Sequence, residues 1–189
     1  MVLSDRMTKE EIAKGRIVIE PLNPACVQPA SIDIHLDNKL LVFKTWRHPF
    51  YIGVREIADD LTEPMEITED KPFLSNAGGF VSASTLESLS LPDDIVARLE
   101  GKSSLGRIGL LLHSTVGYVH PGWHGHLTLE LSNVAKLAVT LYYKMGIGQI
   151  SFLRLTSPAE RLYGLPELGS KYQGQTGPTR TGYYGDFTN

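Results

Sequence analysis

His126-Leu127-Thr128-Leu129-Glu130-Leu131-Ser132 alternates apolar and polar residues without a break. In an extended chain successive side chains point to opposite faces, so Leu127, Leu129 and Leu131 share one face and Thr128, Glu130 and Ser132 the other. The stretch is therefore a half-buried strand in which Glu130 looks away from one apolar layer. In a closed or double-layered β-structure that opposite face lines a cavity, where burial raises a carboxyl toward the range of a general base. The alternative is a solvated glutamate on an outer strand face, the usual place for a carboxylate.

Runs of similar character recur at residues 17–19, 31–36, 40–43, 80–86, 96–99, 138–142 and 149–155, separated by punctuation drawn from 18 glycines and 11 prolines. So many short strands imply a mainly β fold, a sandwich or barrel. One short helix is expected at the N-terminus. It starts near Ser4 or Thr8, the latter at capping-box spacing from Glu11, and stops at Gly15. Residues 47–76 mix charges with Pro49, Pro64 and Pro72 and read as a long excursion with one or two edge strands. From Tyr163 onward the chain turns Gly-, Gln- and Thr-rich, too polar to build a core, which makes residues 163–189 a mobile tail or lid on a single domain spanning 1–189.

Charge narrows the partners. Eighteen Lys and Arg against 21 Asp and Glu leave a net charge of −3, without the basic excess of a nucleic-acid binder that works by neutralising phosphates. No run approaches the roughly 20 apolar residues of a membrane-spanning helix. The opening MVLSDRMTKEE does not resemble a leader peptide, and Cys26 is the only cysteine, so a cytoplasmic protein without disulfides or a cysteine-based zinc site is expected.

Two further stretches can carry chemistry. Gly101-Lys102-Ser103-Ser104-Leu105-Gly106-Arg107 ends a strand and packs two hydroxyls, two cations and two glycines into seven residues. It suits an anion, although a tight surface turn would read the same way. It is not a P-loop, because Val96 stands where that motif needs its first glycine. If the stretch forms one helical turn, Ser103 and Arg107 share a face. His120-Pro121-Gly122-Trp123-His124-Gly125-His126 holds three of the six histidines. Its Gly and Pro content indicates a turn, and no carboxylate or cysteine stands nearby at zinc-site spacing. A single cysteine also excludes the zinc deaminases, which need more thiolate ligands.

Taken together, Gly101 to Arg107, His113-Ser114-Thr115, Pro121-Gly122-Trp123, Thr128 to Leu131, Gly148-Gln149 and Lys171-Tyr172-Gln173-Gly174-Gln175 resemble the dCTP deaminases of the trimeric dUTPase-like superfamily. The resemblance runs from Leu3-Ser4-Asp5 through Gln28-Pro29-Ala30-Ser31-Ile32-Asp33 to the tail. It implies a distorted jelly-roll or β-clip homotrimer with a C-terminal lid, active sites between subunits, Mg2+ carried on the substrate triphosphate, and no zinc. It also implies Glu130 as the general base toward cytosine C4, with Ser103 and Arg107 assisting. Thr128, Leu129 and Glu130 would contact the base, and Lys102, Ser103, Ser104, Leu105, Gly106 and Arg107 would hold phosphates. Gln149, Tyr163, Lys171 and Gln175 match positions that close over the nucleotide, and dTTP becomes a candidate inhibitor.

Deaminase-only members of that family commonly carry His-Arg where this chain has Gly117-Tyr118, whereas the members that continue to dUMP carry Gly and a bulky residue. The resemblance therefore implies dCTP going to dUMP, ammonia and pyrophosphate. Two departures accompany it: Val116 replaces the usual alanine, and His120 replaces an aspartate expected to accept the deoxyribose 3′-hydroxyl. A neutral imidazole accepts one such bond and a protonated one accepts none. A reaction that stops at dUTP, and a nucleotide binder with weakened catalysis, are the competing expectations.

Overall fold

The computed structural model describes residues 1–44, 51–54, 61–112 and 117–187. Helix α1 (Asp5–Ala13) begins at Ser4, whose hydroxyl accepts from the Met7 amide, and Gly15 beyond its end adopts the left-handed conformation at φ +68°. Thr8 is not the cap; it is buried within the helix. The strands follow as β1 (Val18–Glu20), β2 (Val27–Gln28), β3 (Ser31–Phe43), β4 (Thr62–Glu66), β5 (Phe73–Ser75) and β6 (Phe80–Ser90). After them come β7 (Ile95–Gly101), the one-turn helix α2 (Ser103–Gly106), β8 (Leu110–Leu112), β9 (Tyr118–Val119), β10 (His124–Asn133), β11 (Val139–Leu141) and β12 (Gly146–Arg154).

The two runs expected at 31–36 and 40–43 are one strand, and this decides the architecture. The first half of β3 pairs with β2 and β12 in a layer that continues through β7 to β9; its second half, from Leu36, pairs with β6 and β4 in a layer that continues through β10 to β8. The register shifts between Leu36 and Leu40, where the strand passes from one layer to the other. Among the described residues every strand pairing is antiparallel. Alternate residues fill the space between layers, among them Ile32, Ile34, Val81, Ala83, Leu129, Leu131, Ile150 and Phe152. The expected excursion contributes β4, an edge strand that tolerates Pro64, and β5, which pairs with β11 in a small separate sheet. Its residues 47–50 and 55–60, the two residues 45–46 before it, and the motif residues 113–116 with Val116, lie outside the described residues.

An ion-pair cluster fastens α1 to the first layer. Glu11, nearly buried, accepts from Arg16 Nε at 2.6 Å and from Arg154 at 2.9 Å, and Asp94 receives the other arms of both arginines. Burial opposes the charge on Glu11, but the hydrogen bonds from Arg16 and Arg154 and their charges outweigh it and hold the carboxyl below its ordinary value of 4.5. A carboxyl lowered on folding contributes stability that is present above the ordinary value and lost as pH falls through the folded one. Urea unfolding should therefore show wild type losing stability on acidification from pH 6 to below about 4, with Glu11→Gln losing less over that range and starting about 3 kcal/mol less stable. Equal acid sensitivity in the two proteins would remove Glu11 from this role.

Candidate active site

Glu130 is placed by a strand irregularity. The β10–β6 register shifts between His126 and Thr128, and the Leu127 amide, taken out of the ladder, donates to the Thr85 hydroxyl at 3.0 Å. Beyond the shift, alternation proceeds as the sequence indicates: Leu127, Leu129 and Leu131 enter the core, while Thr128 and Glu130 face outward, with Ser82 opposite Glu130. That outward face does not meet open solvent. It is covered by the tail and walled by β3, β4 and β9, leaving a cavity of about 580 Å³.

Several of the expected site residues meet there: Gly117, Tyr118, His120, Thr128, Glu130, Tyr163 and Gln175. Gly117 has a packing reason to be glycine, since a Cβ would sit 2.8 Å from the Leu99 carbonyl, and its own carbonyl accepts from the Leu99 amide at 2.7 Å. Tyr118 stands half-exposed beside the Arg98 guanidinium, 6.0 Å from its ring centre. His120 stacks parallel to Tyr163 at 6.0 Å, and Trp123 tilts against the same ring at 5.3 Å. Burial pushes the Tyr163 phenol above its ordinary pKa, so it is a neutral wall of the cavity.

Leu129 is fully buried with its side chain in the core, so strand alternation leaves its backbone to serve the face that carries Glu130.

The basic turn lies elsewhere. Residues 103–106 form the single helical turn, closed by the Arg107 amide donating to Ser103 O at 3.1 Å, and Ser103, Ser104, Gly106 and Arg107 are exposed. Neither this turn nor Lys102 lines the cavity. Lys102 pairs with Asp33 at 2.9 Å, and Gln149, in register with Asp33 and Glu100, accepts from the Ser31 hydroxyl at 3.3 Å. Gln149 thus groups with the basic turn and not with Glu130. Cys26 lies nearby, its thiol pushed up by burial and then by the Asp33 and Glu87 carboxylates, so it is no candidate nucleophile.

The three turn histidines also separate. His126 donates from Nδ1 to the Thr85 carbonyl at 2.9 Å, His124 carries the tail on its backbone, and His120 lines the cavity. Among the described residues no group of three His, Cys, Asp or Glu side chains could hold a metal ion. No helix among the described residues is long and apolar enough to cross a membrane.

The tail read from composition as mobile is laid along β10. The Gly174 amide donates to His124 O, the His126 amide to Gln175 O, and Gln173 Nε2 to Gly122 O, at 3.0, 3.0 and 2.8 Å. Gly125, at φ +126°, lies close against the tail; a Cβ there would lie 2.9 Å from Gln175 O. Lys171 turns away from the cavity to pair with Asp186 and cover the Tyr183 ring at 5.7 Å. Sequence reasoning missed Thr62, Ser82, Tyr172, Thr179 and Arg180 on the cavity wall. Ser82 was legible as the strand partner of Glu130 had the register been known, whereas polar composition hid the tail residues.

The profile of dCTP deaminase-like proteins matches residues 2–155. The chain is 52% identical over 187 residues to the dUMP-forming dCTP deaminase of Mycolicibacterium vanbaalenii, covering 99% of this chain and 98% of that one. It is 53% identical over 179 residues to the protein of the same name from Acidothermus cellulolyticus, covering 95% and 93%. The solved structure of 2′-deoxycytidine 5′-triphosphate deaminase from Agrobacterium tumefaciens superposes with a TM-score of 0.62 at 23% identity, over 82% of this chain and 47% of that longer chain, and so shares the fold. A profile match across most of the chain and relatives more than half identical almost end to end leave one assignment: the chain belongs to the dCTP deaminase-like family.

Proposed function

We propose that this protein deaminates dCTP and hydrolyses the resulting triphosphate in the same site, giving dUMP, ammonia and pyrophosphate. The observation that carries the reading is the cavity that gathers Glu130, the Gly117-Tyr118 pair and the tail residues Tyr163 and Gln175, in a chain whose close relatives bear that activity in their names. Glu130 takes a proton from water as the hydroxide adds to C4 of cytosine, that proton passes to the departing amino group, and the remaining hydroxyl proton moves to N3, so that ammonia leaves and a carbonyl forms. A second water then attacks the α-phosphorus, the bond to the bridging oxygen breaks, and pyrophosphate departs. Mg2+ enters on the triphosphate as part of the substrate.

The tetrahedral intermediate needs donors beside Glu130, and Ser103 with Arg107 are suited to the task. They lie outside the cavity of their own chain. A closed homotrimer resolves this, because each cavity then receives the basic turn of a neighbour. Sedimentation should give a trimer. dTTP, resembling substrate and product in its sugar and phosphates, remains the candidate inhibitor. The direct test of the reading is the product time course from dCTP and Mg2+.

A second reading, nucleotide binding with weakened turnover, draws on His120, which faces the cavity stacked on Tyr163. A carboxylate offers the sugar hydroxyl more acceptor sites than one imidazole nitrogen does. His120→Asp should raise kcat/KM several-fold for the dUTP-hydrolysis step, about the worth of one hydrogen bond to a charged group. An unchanged ratio of dUTP to dUMP would show that His120 does not reach the sugar.

A further inference from the structure

Asn133, the last residue of β10, is 1% exposed, and its side-chain amide gathers separate stretches of the chain. Its Nδ2 donates to the carbonyls of Ser75 at 2.9 Å, Asn76 at 3.1 Å and Leu137 at 2.9 Å, and its Oδ1 accepts from the Ala135 amide at 3.0 Å. These partners settle which way the amide faces, since a flipped one would set its oxygen against the carbonyls and its NH2 against an N–H. The bonds to Ala135 and Leu137 curl residues 133–137 into a turn.

That turn reaches the basic segment. The Val134 amide donates to Gly109 O at 2.9 Å, and Ala135 lies so close that a Cβ on Gly109 would come within 2.8 Å of its own Cβ. Gly109, at φ +85°, donates its amide to Gly106 O at 3.0 Å, which ties it to the end of α2. The basic segment is thus fixed at its start by Lys102 on Asp33 and at its end by the turn that Asn133 shapes. Asn133 also stands opposite Leu110 of β8, and Glu130 lies three residues back on the same strand. One strand therefore carries the base of its own cavity and the clamp on a turn that, in the proposed trimer, serves a neighbour's cavity.

We propose that Asn133 is a positioning residue: through the 133–137 turn and Gly109 it sets where Ser103 and Arg107 stand, and so it acts on the site of the neighbouring protomer rather than on its own. Its part in catalysis rests on the proposed reaction and its shared sites; its hold on the turn does not. Asn133 has no contact with substrate to lose. Its effect comes from the placement of donors that must meet developing charge, where a shift of about 1 Å costs up to about 100-fold.

The test compares wild type with Asn133→Ala and Val134→Pro. The second removes the amide that donates to Gly109, at a side chain that is 62% exposed and after a strand residue whose extended backbone suits a following proline. Without nucleotide, hydrogen exchange of the 103–109 peptide should speed up about tenfold or more in Asn133→Ala and about three- to tenfold in Val134→Pro, while the 146–154 peptide of β12 keeps its rate. Unchanged exchange at 103–109, or equal acceleration of both peptides, overturns the clamp, and Val134→Pro decides it alone if Asn133→Ala does not fold. With dCTP and Mg2+, Asn133→Ala should lower kcat/KM about 10- to 100-fold. A purely structural role would not choose between partners in mixed trimers. Mixed with Glu130→Gln, Asn133→Ala should recover about a quarter of wild-type activity; mixed with Arg107→Ala it should recover none, because both lesions lie in the same turn. Equal recovery with the two partners overturns the route through the turn. If Glu130→Gln and Arg107→Ala fail to complement each other, the shared sites fall and the exchange comparison still decides the clamp.

Discussion

Glu130→Gln should fold, bind dCTP and release ammonia about 10² to 10⁴ times more slowly than wild type, the usual worth of a positioned general base. The amide keeps the size and one acceptor oxygen of the carboxylate but cannot take a proton from water. The fold should tolerate the change, since Glu130 stands on the outward face of β10 while the core is held by Leu127, Leu129 and Leu131 on the other side. The loss should fall on kcat and kcat/KM together, as for a group whose contribution is made in the transition state. Circular dichroism and nucleotide binding check the fold, and an ammonia assay checks the step. Near-native ammonia release would take the general-base role from Glu130 and leave the cavity without a base among its described lining residues, apart from His120.

The second large effect is a recovery of activity. Arg107→Ala should also be nearly inactive, because in the proposed mechanism it removes the cation that stabilises developing negative charge. Each inactive chain retains what the other lacks. If every site takes Glu130 from one protomer and Arg107 from its neighbour, random mixing of the two variants leaves about a quarter of the sites intact. Activity near that fraction of wild type, from two preparations that have almost none, would be unambiguous. If both residues served a site from the same chain, every site would carry one lesion. No recovery in trimers shown by mass to be mixed would count against shared sites, and the separation of the Lys102 to Arg107 turn from the cavity would need another explanation.

The alternation from 126 to 132 was a sound guide to the fold because hydrophobic burial enforces it locally: a one-residue slip would send three leucines to the outer face. The basic turn was legible for a similar reason, since Gly101 and Gly106 bracket a segment too short for anything but one helical turn. Long-range register was not legible. Nothing in residues 31–43 announces that one strand serves two layers, because the register shift between Leu36 and Leu40 is set by partners distant in sequence, such as Thr85 opposite Leu36 and Gly146 opposite His35. The tail failed for a different reason. Composition measures apolar area, and this tail is held by hydrogen bonds from Gly174, Gln175 and Thr179 to β10 and from Gln173 to Gly122 in the turn before it. Leu129 shows the limit of carrying a site over by resemblance: position in a motif does not say whether side chain or backbone does the work.

One time course bears most directly on the proposed reaction. The protein is incubated with dCTP and Mg2+ while dCTP, dUTP, dUMP, ammonia and pyrophosphate are followed together. The account predicts ammonia, dUMP and pyrophosphate rising in equal amounts with no accumulation of dUTP. Ammonia with dUTP as the end product would contradict the coupled reaction, and tight dCTP binding without ammonia would contradict deamination itself.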